Sequence, residues 1–98
     1  SYVNQKKELE NSLITEYEML WFEIQKQQQL LSLYEQQIQT SQQSLNLLFT
    51  SYGNSGKEFE EVLRMQLQLL KYQKMKATAL TQNQIAVAKI NYLTSKAY

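Results

Sequence analysis

Apolar residues recur along both halves of this chain at alternating intervals of four and three residues. In the first half the pattern runs through Leu13, Tyr17, Leu20, Ile24, Gln27, Leu31, Tyr34, Ile38, Ser41, Leu45, Leu48 and Tyr52. All of these positions except Gln27 and Ser41 are apolar or aromatic. A 3.5-residue period sustained over more than five heptads predicts a helix that supercoils against a partner, and we call this stripe the seam.

The second half of the chain carries a seam with the same alternation and also a second apolar stripe. Its seam positions are Val62, Met65, Leu69, Tyr72, Lys76, Ala79, Asn83, Ala86, Ile90, Leu93 and Ala97. The second, weaker stripe contains Phe59, Leu63, Leu70, Ala77, Leu80 and Val87. Large apolar residues also lie off the seam of the first half, at Trp21, Phe22, Leu30, Leu33, Leu47 and Phe49. We therefore expect further helical neighbours, from the rest of the same chain or from other subunits.

The residues that can end a helix are concentrated in one short stretch, TSYGNSGKEF, at residues 50–59. It contains both glycines, and the chain has no proline. Gly53 suits the left-handed residue that ends many helices, and Ser55 with Glu58 matches a capping box. We predict a helix over about 2–52, a turn over about 53–56 and a helix over about 57–97. A connection this short joins antiparallel neighbours.

The predicted fold is therefore all-α: a long antiparallel helical hairpin, a coiled coil assembled into a helical bundle or an α-barrel. At 1.5 Å per residue, the rod would be about 75 Å long. The chain begins without Met, at Ser1. We interpret it as a single α-hairpin segment excised from a larger outer membrane protein, an interpretation that depends on the resemblance described below.

Composition argues against several classes of function. The chain has no His and no Cys, so the usual catalytic bases, nucleophiles and metal ligands are missing. The acidic cluster Glu58, Glu60 and Glu61 is explained by its place at the start of a helix. We therefore predict no enzyme, no cofactor and no metal site. A net charge of +1 gives no electrostatic reason to expect nucleic acid as a partner.

The sequence around the bend has a recognisable order of residue types. In YGNSGKEFEEVLRMQ, residues 52–66, a tyrosine precedes a turn with glycines, an apolar residue, a Val-Leu pair and a glutamine. This order resembles the TolC-type outer membrane efflux proteins, most specifically over residues 45–72. The resemblance implies one hairpin of a trimeric α-helical barrel in the periplasm, a passive duct for multidrug or heavy-metal efflux. Its bend would dock a periplasmic adaptor joined to an inner-membrane pump.

The resemblance also implies roles for individual residues. The residues of the hairpin tip, which docks the adaptor, would be Tyr52, Gly53, Asn54, Ser55, Gly56 and Lys57. Tyr52 and Lys57 align with a tyrosine and an arginine that help to hold the tip closed in the family's type member. Glu61 and Arg64 align with two acidic residues of the channel constriction. Arg64 has the opposite charge, so a mixed arrangement that pairs helices is the alternative to an acidic ring.

A second function, from a different class of protein, also fits the periodicity. A structural or scaffolding coiled-coil hairpin, of the adaptor type, would show the same heptads without any role in a channel. For the isolated hairpin we expect a dimeric four-helix bundle rather than the trimer of a complete duct.

Overall fold

A computed structural model describes residues 1–51 and 56–97, with side chains placed up to residue 50 and from 59 to 96. Helix α1 spans Tyr2–Ser51 and helix α2 spans Gly56–Ala97. The two helices lie side by side, with Ile24 of α1 packed in one cluster with Ala86 and Ile90 of α2. The structure confirms the predicted all-α hairpin, and α2 begins one residue before the expected position.

Ser1 makes the first hydrogen bonds of α1. The side-chain oxygen of Ser1 accepts a hydrogen bond from the amide of Asn4 at 3.3 Å, as an N-cap serine does. The carbonyl of Ser1 accepts from the amide of Gln5 at 3.1 Å, which is the first bond of the helical ladder. At the C-terminal end of α2, Lys96 lies in the last turn, where a positive charge suits the helix dipole.

The molecule is a rod. Its principal extents are 77 × 19 × 14 Å, which agrees with the length expected for a helix of about 50 residues. The radius of gyration is 22.1 Å, whereas a compact domain of this length would have about 13 Å. A rod two helices wide has little interior, so its stability depends on the single line of contact between α1 and α2.

The seam predicted from the sequence is that line of contact. Every seam position from Leu20 to Leu48 and from Val62 to Leu93 is buried or half-buried. The most buried residues are Ile24, Gln27, Ile38, Ser41, Ala79, Ala86 and Ile90, which are 2–8% exposed. No large side chain among the described residues is less than 2% exposed. The seam is therefore continuous but only one layer deep.

Among the described residues, none of α2 lies beside the first part of α1. Ile24 packs beside Ala86, and Glu35 contacts Lys76. The same register places the end of α2 at Ala97 level with about residue 14 of α1. Leu13 and Tyr17 were expected in the seam, but each is 41% exposed, because α2 ends close to their level. Residues 1–19 are all exposed.

Candidate functional site

The bend was the first predicted site, and most of it lies outside the described residues. Tyr52, Gly53, Asn54 and Ser55 are outside them, so their predicted roles remain predictions. Gly56 and Lys57 belong to the first turn of α2, but the side chain of Lys57 also falls outside what the structure describes. The predicted capping box of Ser55 and Glu58 is likewise untested.

The structure brings the two predicted constriction residues together. Arg64 Nη1 lies 3.8 Å from Glu61 Oε2, one turn apart on α2. The two side chains are 71% and 50% exposed, respectively. An exposed ion pair of this kind contributes only ~0–1 kcal/mol to stability. The ion pair between Glu61 and Arg64 is therefore weak. A charged group of a neighbouring chain could replace either member of the pair.

Two flanks run along the hairpin, one on each side of the seam. A surface groove is lined by Gln27, Leu30, Tyr34, Lys74, Met75, Thr78, Ala79 and Gln82. Leu30, Met75 and Gln82 each stand one residue before a seam position, and they share this side of the rod. We call it the groove flank, and it comprises the residues of both helices that precede seam positions. Glu61 and Arg64 precede Val62 and Met65, so they belong to it as well.

The opposite side of the rod is formed by residues that follow seam positions. We call it the apolar flank. Its large apolar members are Phe59, Leu63, Leu70, Leu80 and Val87 on α2, where Phe59 stands one turn before Leu63, and Ile14, Trp21 and Phe49 on α1. Their exposures range from 39% at Val87 to 70% at Phe59. The second stripe predicted from the sequence is therefore uncovered on α2, with Gln66, Gln73 and Gln84 between its apolar residues. Phe49 of α1 extends this surface at the end that lies nearest the bend.

An ion pair between the helices was not anticipated from the sequence. Lys76 occupies a seam position and donates a hydrogen bond to Glu35, which follows Tyr34 on α1. Their side chains are 37% and 47% exposed, so water still reaches both groups. The only available signal in the sequence was a lysine at a seam position, because its partner depends on the register between the helices. A shift of one helix by a heptad would separate Lys76 from Glu35, so this contact identifies the register between the helices.

A polar layer interrupts the apolar seam between Ile24 and Leu31 of α1. Gln27 is 6% exposed, and its Nε2 donates to Glu23 Oε1 at 2.7 Å. Asn83 lies at about the same level on α2, and its buried Oδ1 accepts no hydrogen bond from the described residues. A buried acceptor without a donor costs stability, whereas a paired one does not. The layer therefore favours one register at some expense of stability.

Among the titratable groups of the described residues, Lys96 has a raised pKa. Lys96 Nζ lies 5.1 Å from the centre of the Tyr92 ring. A hydrogen bond with Tyr92, and then its charge, raise the pKa of Lys96 above 10.5. This site is fully exposed and far from the bend. It has no convergent acid or base, and the residues described contain no group of three metal-ligating side chains.

Neither helix, over the residues that the structure describes, is apolar enough along its length to cross a membrane. The chain matches no protein-family model, no curated protein and no solved structure. The comparisons therefore leave the resemblance over residues 45–72 untested.

Proposed function

We propose that this chain is a periplasmic coiled-coil hairpin of a trimeric outer membrane efflux channel. In this proposal it forms part of the wall of a passive duct and catalyses no reaction. Its bend docks a periplasmic adaptor that is joined to an inner-membrane pump. The proposal is supported by the resemblance of residues 45–72 and by one structural observation: a single-seam rod with uncovered apolar surface on both flanks.

Uncovered surface on two sides is what a hairpin in a barrel wall requires, because such a hairpin has a neighbour on each flank. On the groove flank, Leu33 and Leu47 are 47% and 63% exposed. On the apolar flank, Phe59 and Leu63 are 70% and 46% exposed. A scaffolding hairpin that bound one partner along one side would need only one of these surfaces.

Glu61 and Arg64 would gate the channel from their position near the bend. They lie on the groove flank, where a neighbouring hairpin would approach them. Because one exposed pair contributes ~0–1 kcal/mol, closure needs several such pairs acting together around the trimer. Small shifts of packed helices, of the kind that switch other helical assemblies, would open it.

A photo-cross-linking residue at Ser55, in the protein as the cell makes it, tests docking at the bend. We expect it to capture a periplasmic adaptor that mass spectrometry identifies by its sequence. The control is the same residue at Gln29, which is exposed midway along α1 and away from the bend. Absence of an adaptor at Ser55, or equal capture at both positions in a normally expressed protein, would favour the scaffolding function instead.

A further inference from the structure

An uncharged polar stripe runs along α1 between residues 25 and 50. We call it the neutral stripe, and it comprises Gln25, Gln29, Ser32, Gln36, Gln39, Gln43, Asn46 and Thr50, all of them exposed. These residues alternate at intervals of four and three, like the seam, and occupy heptad positions that face away from α2. We infer that the neutral stripe is the inner wall of the proposed duct and that this wall passes solutes of either charge. The inference rests on the proposed function and names the surface that solutes meet.

The first argument is that an exposed surface carries no charge. Between Lys26 and Lys57 the chain has one charged residue, Glu35. That residue pairs with Lys76 across the seam. In residues 2–19, which are also exposed, the charged residues are Lys6, Lys7, Glu8, Glu10, Glu16 and Glu18. Surfaces in free solvent usually carry ~25–35% charged residues. Exposure to solvent therefore does not explain why the neutral stripe lacks charge over about 38 Å of helix.

The second argument is that neighbouring hairpins leave the neutral stripe open. On the groove flank, Leu33 and Leu47 offer a neighbour apolar contact on the other side of α1. On the apolar flank, at the level of residues 25–46, the large apolar residues are Leu70 and Leu80, which belong to α2. A hairpin on either flank therefore buries apolar surface without covering the neutral stripe.

The third argument is that the outer face of α2 is less suited to be the inner wall. Opposite the seam of α2 lie Glu60, Leu67, Lys74, Thr81 and Ala88. Leu67 is 59% exposed and would retain apolar solutes, whereas the exposed Lys74 would concentrate anions. Conduction requires binding that is weak enough to release the solute. Amide and hydroxyl groups, as in the neutral stripe, hydrogen-bond to water and attract ions of neither sign strongly.

Cysteine labelling tests which face lines the duct, because the chain has no cysteine of its own. Gln29→Cys lies on the neutral stripe. Thr81→Cys is the matched control, since Thr81 is exposed on the outer face of α2 at the level of Gln29. Each variant of the protein as the cell makes it is placed in planar lipid bilayers and labelled with a cationic or an anionic methanethiosulfonate reagent. Under a KCl gradient, we expect the two labels to shift the reversal potential in opposite directions at Gln29→Cys and to leave it unchanged at Thr81→Cys.

The other outcomes separate the inference from the proposed function. A parent protein that forms no channel contradicts the proposed function, and the inference falls with it. In a conducting parent, shifts at Thr81→Cys, or equal shifts at both positions, contradict the inference and leave the duct standing. Mass spectrometry of the recovered protein measures how far each thiol has reacted. A Gln29→Cys thiol that stays unlabelled, or that forms disulfide-linked dimers, would show that the neutral stripe is a covered contact rather than a wall.

Charged substitutions test whether the neutrality of the stripe sets what passes. Gln36 is exposed on the neutral stripe, and Ala88 is exposed on the outer face of α2. We expect Gln36→Glu to raise the permeability ratio of K⁺ to Cl⁻ about twofold or more, and Gln36→Lys to lower it by a similar factor. Both effects should shrink at high salt, where charges in water are screened. Ala88→Glu and Ala88→Lys should leave the ratio unchanged. Equal effects at the two positions, or no effect at Gln36, would contradict the inference.

Discussion

Two stretches of the same helix α1 differ in burial although both contain the seam spacing. In residues 20–48 every seam position is buried or half-buried against α2. In residues 2–19 every position is exposed, including Leu13 and Tyr17, which are 41% exposed at seam positions. In this register the described part of α2 reaches only to about the level of residue 14, so most of residues 2–19 have no described residue of α2 beside them. Heptad spacing therefore shows which face of a helix can pack, whereas burial also requires a partner at that level.

A matched pair of isoleucines gives the largest expected contrast between the two stretches. Ile24 is 5% exposed in the seam, and Ile14 is 56% exposed in the uncovered part of α1. We expect Ile24→Ala to lower the free energy of unfolding by ~2–4 kcal/mol, because it removes buried methylenes and leaves a cavity. Ile14→Ala should change it by less than ~0.5 kcal/mol. Urea denaturation at one fixed protein concentration measures both, and equal losses would remove the distinction between the stretches.

The polar layer offers a gain in stability of intermediate size. Asn83→Leu removes the buried acceptor that lacks a donor among the described residues. We expect the free energy of unfolding to rise by ~1–2 kcal/mol, since the desolvation cost of that acceptor disappears. Asn91→Leu is the control, because Asn91 is exposed on the same helix and should have little effect. A loss of stability in Asn83→Leu would show that Asn83 has a partner in solution.

The ion pair across the seam should have the smallest effect of the three. Lys76→Met breaks the contact with Glu35 and should lower the free energy of unfolding by only ~0.5–1 kcal/mol, because both groups remain partly in water. Lys74→Met, at an exposed position two residues earlier, controls for the loss of charge. The difference between the two variants should shrink at high salt, where exposed charges are screened. A difference that is independent of salt would mean that Lys76 acts through packing.

The sequence was sufficient for the fold but only partly for the contacts. The seam spacing predicted that the polar residues Gln27 and Ser41 face α2, and both are buried there. It did not predict that Lys76 meets Glu35, because that contact depends on the register between two helices. The register depends in turn on the geometry of the bend, which local propensity describes poorly.

The candidate site is less settled than the fold for a physical reason. Glu61 and Arg64 pair within one helix, at a spacing that any isolated helix would allow. Their pairing in a single hairpin therefore says nothing about which charges they meet in an assembly. The apolar flank is different, because its uncovered area is a property of the hairpin itself.

Amide hydrogen exchange along the whole chain tests the central claim most directly, namely that one seam between residues 20–48 and 62–93 holds this rod together. Exchange reports the local free energy of opening at each residue. We predict slow exchange across both of these segments and fast exchange over residues 2–13. Uniformly slow exchange from Tyr2 onwards, or equally fast exchange across the seam, would contradict the account.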